Sequence, residues 1–185
     1  MTSPSFDPKH AVVFDLARGA THDASKARLL LVPANALSEL VRGSEAQARR
    51  LGQSIGKACG SRVATRLGGG DSVRRASIEA VVTELAGELS VAGVGLVSLE
   101  RWGKALVVAV ENAAIDDDVL LASIVDGAMS AAVGKQVAGV TLVRQGSTAR
   151  ILIASDATCK RVKELLTSGT AWGDILGRLS TGGGA

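Results

Sequence analysis

The sequence predicts an α+β domain, a small antiparallel sheet of about four strands with helices packed on it. Three observations predict this. Short apolar runs occur in pairs around turn residues, and the segments between them repeat their apolar residues every three or four positions. The core material is aliphatic, with hydrophobic residues at 46% of 185 positions and aromatic ones at only 2%. Such a core fills by close contact of Val, Leu, Ile and Ala rather than by large rings. The expected organisation is a flexible N-terminus over residues 1–10, one domain over 11–179, and a disordered Gly-rich tail over 180–185.

Ala11 to Leu16 and Arg28 to Val32 read as two apolar strands of a wide hairpin, joined by a polar stretch containing Gly19, His22 and Asp23. Pro33 suits the start of a helix, which then runs from Ala34 to Val41 and is closed by Gly43. From Ser44 to Leu67, the positions Ala48, Leu51, Ile55, Cys59 and Val63 form one face of a long helix. Beside that stripe lie Gly52, Gly56 and Gly60. Each interior glycine costs roughly 0.5 to 1 kcal/mol relative to alanine, so three in register call for a compensating close approach by another helix, a subunit or a ligand.

Gly68 to Gly70 break this helix, and Asp71 or Ser72 is expected to cap the next, whose buried side is Ile78, Val82, Leu85 and Leu89. Leu96 to Leu99 and Ala105 to Val110 make a hairpin around Trp102 and Gly103. Asp116 to Asp118 open a helix from Val119 to Val133 that is apolar on more than one face and therefore buried on two sides. Val137 to Val143 and Ala149 to Ala154 form a second hairpin across Gln145 to Ser147. Asp156 caps a helix to Leu166 that Gly169 ends, and Trp172, Ile175, Leu176 and Leu179 mark a last amphipathic helix.

Charge and motif content narrow the function. The net charge of +3 is spread along the chain, with neither a basic run nor stacking rings, which argues against nucleic-acid binding. There is no apolar run long enough for a membrane span and no signal-peptide pattern, so a cytoplasmic location is expected. Cys59 and Cys159 stand apart with no CxxC or Cys/His cluster, so neither a metal site nor a cofactor is expected.

Four features resemble a known family. They are the run Arg28-Leu-Leu-Leu-Val-Pro-Ala-Asn-Ala-Leu37, the glycine-punctuated Leu51-Gly-Gln-Ser-Ile-Gly56, the strand Val94-Gly-Leu-Val-Ser-Leu-Glu100, and Asp126-Gly-Ala-Met before a closing hairpin. Together they resemble the 4-vinyl-reductase-type domain, also called the bacterial hydrocarbon-binding type. That domain is similar in fold to the TRAPP vesicle-tethering subunits and to the ligand-binding fold of NO signalling and Golgi transport. The resemblance covers roughly Phe14 to Leu166. It implies a homodimeric sensory or regulatory module that holds a hydrophobic small molecule or presents a surface for assembly. Members of that family often carry cysteines near the last hairpin, whereas Leu142 to Arg150 has none here, so metal or redox sensing there is not implied.

The candidate groove for a ligand or a second subunit comprises Leu51, Gly52, Ile55, Gly56, Cys59, Gly60 and Val63 from the long helix, Val82 and Leu85 from the next, and Ile124 and Met129 from the two-sided one. Arg49, Arg50, Arg74 and Arg75 are placed by spacing near its mouth to meet a polar end. Trp172 is the candidate anchor for a protein partner. Cys59 reads as a buried small hydrophobe, or as a thiol facing the cavity, and Cys159 as buried with modest reactivity at most. His10 and His22 read as loop histidines, because no nucleophile motif accompanies them. Asp116 to Asp118 read as a helix start rather than a cation loop, and Gly68 to Gly70 as a linker rather than a phosphate cradle. The expected function is non-enzymatic binding of a hydrophobic small molecule by a dimer. A ligand-free interaction scaffold, of the kind used in assembly, trafficking or polarity, is the alternative.

Overall fold

The structure is a computed structural model that describes residues 6–181. Of the two expected loose ends, residues 1–5 and 182–185 lie outside the described residues. The fold is α+β with two antiparallel sheets.

The first sheet holds β1 (Val12–Asp15), β2 (Ala20–Asp23) and β3 (Arg28–Leu29) in that order. The two apolar runs therefore do not pair with each other as expected. Each pairs with the polar stretch between them, Val12 opposite Asp23 and Thr21 opposite Leu29. The turns explain it. Gly19 at φ 57° allows a tight reversal into β2. The Asp23 carboxylate then accepts from the backbone amides of Ser25 and Ala27, both at 2.9 Å, and closes the next loop.

Helix α1 (Ala34–Val41) spans the predicted residues and leads into α2 (Glu45–Arg66), whose N-cap Ser44 accepts from the Gln47 amide. A six-residue helix, α3 (Gly70–Arg75), intervenes before α4 (Ile78–Val91). The cap of α4 is thus Ser77, whose hydroxyl accepts from Ala80, and neither Asp71 nor Ser72. Ala76 in extended conformation separates the two helices.

The second sheet is built from β4 (Leu96–Trp102), β5 (Ala105–Glu111), β6 (Ala138–Gln145) and β7 (Thr148–Ala154), in the order β4-β5-β7-β6. Helix α5 (Asp118–Val133) lies between the two hairpins in sequence. Its cap is Asp117, which accepts from Leu120 at 2.7 Å, and Asp118 pairs with Arg144. Those acids serve the helix start and the sheet edge. After β7 come α6 (Asp156–Thr167), capped by Ser155 one residue before the expected Asp156, and α7 (Trp172–Thr181).

Alternation along β5 and β7 divides the core in two. Val108, Val110, Ile151 and Ile153 face α2, α4 and α5, while Val107 and Leu152 face α6 and α7 through Val162, Ile175 and Leu176. The sheet is therefore covered on both faces. Eleven of the sixteen residues of α5 are buried, because α2 lies on one side of it and the sheet on the other.

Candidate functional site: an apolar cavity beneath α4

The three chain segments predicted to carry recognition converge around α5, on two different sides of it. On one side lies α2. Its buried line is Ala48, Gly52, Gly56, Cys59, Gly60 and Val63, so the glycine edge is the centre of the contact, while Leu51 and Ile55 are only half-buried at its margin. A Cβ on Gly52 would fall 2.6 Å from the Ser123 Cβ, and one on Gly60 would fall 2.1 Å from the Ala128 carbonyl oxygen. The reciprocal position is Gly127, where a Cβ would meet the Gln53 Cα at 2.8 Å. The partner accommodated by the glycines is thus α5 of the same chain. Gly52, Gly56 and Gly60 do not line an open groove for a ligand or a second subunit, because backbone already fills that space. Ile124 belongs to this closed helix pair.

On the other side of α5 lies a cavity of about 10 Å³, lined by Val82, Leu85 and Leu89 of α4, Val97 of β4, Val108 of β5, and Val125 and Met129 of α5. All seven side chains are buried and apolar. Of the predicted lining residues, Val82, Leu85 and Met129 meet here. Leu89, Val97, Val108 and Val125 complete the site. Alternation marks Val97 and Val108 as inward-facing on their strands, but which helix covers that face is a tertiary property. None of the predicted arginines lines this cavity. Arg49 is paired with Glu45 at 2.8 Å, Arg50 borders a surface hollow beside Leu40 and Leu51, Arg75 is exposed, and the Arg74 side chain lies outside the described residues.

The wall formed by α4 is tied down on its far side. Arg62 and Arg66 of α2 pair with Glu88, Arg62 through Nε at 2.7 Å, and Arg66 Nε lies 3.0 Å from Glu84. Arg62 also reaches Asp23 of the first sheet at 3.4 Å. The Phe6 amide donates to Glu84 Oε1 at 3.1 Å, its ring lies under the Arg66 guanidinium at 5.2 Å, and a Cβ on Gly87 would stand 2.3 Å from Phe6 Cδ1.

Asp126, unnoticed as a site from sequence, is 3% exposed. Its Oδ2 accepts from the Gly139 amide at 3.1 Å, and its Oδ1 has no hydrogen-bond partner. Burial pushes its carboxyl up to about 6, against the Gly139 hydrogen bond and the positive charge of Arg49. Cys59 is buried within 3.5 Å of Arg62, away from the cavity lining, and burial raises its thiol. Cys159 donates to the Ala138 carbonyl, and burial pushes its thiol up to about 11, which removes the modest reactivity suggested by Lys160 and Arg161. His10 pairs with Asp7 at 2.7 Å and His22 lies within β2. Trp172 packs edge-on against Trp102, with ring centroids 5.3 Å apart, and Arg150 lies over its ring. Among the described residues no group of three or more His, Cys, Asp or Glu is placed to hold a metal ion, and no helix is long and apolar enough to cross a membrane.

No protein-family description matches the chain, and no curated protein matches it in sequence. Among solved structures, the chain is similar to the phenol-responsive sensory domain of the transcription activator PoxR, determined with phenol. The identity is 17%, the match covers 86% of this chain and 92% of that one, and the TM-score is 0.60. The two share a fold.

Proposed function

We propose that this chain is a non-enzymatic sensory or regulatory module that binds a small hydrophobic molecule between α4, α5 and the second sheet, and that it works as a homodimer in the cytoplasm. One observation carries the ligand reading. Seven apolar side chains from two helices and two strands surround a void at the centre of the larger core, in a fold shared with a phenol-responsive domain. An apolar cavity admits an apolar guest without any charged contact, since the guest's own apolar surface leaves water, which contributes about 25 cal/mol per Å². The void of about 10 Å³ is far below the roughly 150 Å³ that holds benzene, so uptake requires α4 to move outward from α5 and the sheet.

The motifs around Arg28 to Leu37 and Leu51 to Gly56 support placing the chain beside the 4-vinyl-reductase-type, hydrocarbon-binding domains. Dimerisation is supported by apolar residues left in solvent on the first sheet and next to it in sequence: Phe14, Leu16 at 87% exposure, Leu30 at 85% and Leu31. The same exposed side chains support the alternative of a scaffold that self-associates without a ligand. Native mass spectrometry of the purified chain separates the readings. An additional small mass on a dimer supports the module, and a bare dimer that stays bare after incubation with phenol and other small apolar compounds supports the scaffold.

A further inference from the structure

We propose that the segment from Phe6 to Asp23 is a strap that holds α4 closed over the apolar cavity, so that ligand uptake and strap release are coupled. This rests on the reading of the cavity as the ligand site.

Helix α4 has two working faces. Val82, Leu85 and Leu89 line the cavity, and Glu84, Gly87 and Glu88 face the N-terminal segment and α2. The strap grips that second face at both of its ends. At Phe6, the ring occupies the notch left by Gly87, the amide donates to Glu84, and Arg66 covers the ring. At Asp23, Arg62 bridges to Glu88, joining the first sheet to the same helix. A glycine inside a helix is unfavourable by up to about 1 kcal/mol, and here the place of its missing methyl is taken by an aromatic ring from more than eighty residues away. An outward shift of α4, which enlarges the void, must push into Phe6 and disturb the pairs that Glu84 and Glu88 make with Arg66 and Arg62. Ligand occupancy is thereby relayed to the N-terminal segment as loss of the Phe6 contact.

Hydrogen–deuterium exchange of the ligand-free full chain, native against Phe6→Ala, tests the strap. Exchange about ten-fold faster in residues 81–91, with α2 and α5 unchanged, is the expected result. Equal exchange in α4, or equal acceleration throughout the chain, overturns it. Gly87→Ala is the second variant: it evicts the ring while leaving every charged partner in place, and alanine by itself favours the helix. Faster exchange of α4 in this variant supports the strap, and slower exchange refutes it. Phenol is the probe for coupling. Its affinity should rise in both variants by about the factor by which α4 opens, and unchanged affinity beside measurable binding to the native chain refutes the coupling. If none of the three proteins binds phenol, the ligand reading falls and the exchange data decide the strap alone.

Discussion

A Cβ placed on Gly56 would stand 2.1 Å from the carbonyl oxygen of Ile124, closer than any real side chain approaches a backbone oxygen. Neither partner can yield cheaply, because both sit in the middle of long helices. Gly56→Ala should therefore destabilise the chain by at least about 3 kcal/mol, despite alanine's better helix propensity. Gly173→Ala provides the control, since nothing lies within 4 Å of its added methyl, and it should be neutral or stabilise by up to about 1 kcal/mol. Urea unfolding of the two variants checks the contrast. Equal effects would show that α2 and α5 are not in backbone contact.

Asp126 makes stability depend on pH. Its carboxyl is raised to about 6 in the folded chain, from about 4 in the unfolded one. The folded state therefore binds the proton more tightly, and stability present below pH 4 is lost as the pH rises through 6. The loss is on the order of 2 to 3 kcal/mol, with Arg49 and Lys57 of α2 and Cys159 of α6 as the neighbouring titratable groups. Asp126→Asn should abolish this slope and be the more stable protein at pH 7.5. Parallel unfolding curves for the two proteins between pH 4 and pH 7.5 would contradict it.

The pairs of Glu88 differ in kind from those on the surface. Glu88 is 5% exposed and holds two guanidinium groups, so Glu88→Ala leaves Arg62 with Asp23 and Arg66 with Glu84 as their remaining acidic partners and should cost about 1.5 to 3 kcal/mol. Glu79 pairs with Arg101 in open solvent, and Glu79→Ala should leave the unfolding midpoint where it was. Thermal melts of both variants decide the matter.

Neither thiol should behave as a reactive group. Cys159 is pushed up to about 11 and Cys59 is raised by burial, so at pH 8 the native chain should react with a disulfide reagent far more slowly than the unfolded chain. Two equivalents should then react on addition of denaturant. A fast equivalent in the native state would place one thiol at the surface.

Much of this arrangement is legible in the residues. Pro33, Gly43 and Ser44 punctuate α1 and α2 where the structure ends and begins them, and both hairpins of the second sheet follow from alternation around Gly103 and Gly146. What the local sequence does not announce is decided by tertiary choice. The polar residues of β2 carry no hydrophobic period, and only the turns at Gly19 and Asp23 place them between two apolar strands. The three glycines of α2 announce a close approach, yet nothing local says that the partner is α5 of the same chain. The cavity was half legible: Val82, Leu85 and Met129 declare themselves by helical spacing, whereas Val97 and Val108 join them only once the sheet is docked. Phe6 precedes the first element and has no periodic pattern around it, so its seat on Gly87 had no signal in the sequence.

The cavity itself can be watched directly. The chain has two methionines, Met1 and Met129, and Met129 lines the void. With both methyl groups carbon-13 labelled, a titration with phenol should move the Met129 signal saturably and leave that of Met1 in place. A Met129 signal that stays fixed up to the solubility limit of phenol and of benzene would contradict an apolar binding site beneath α4.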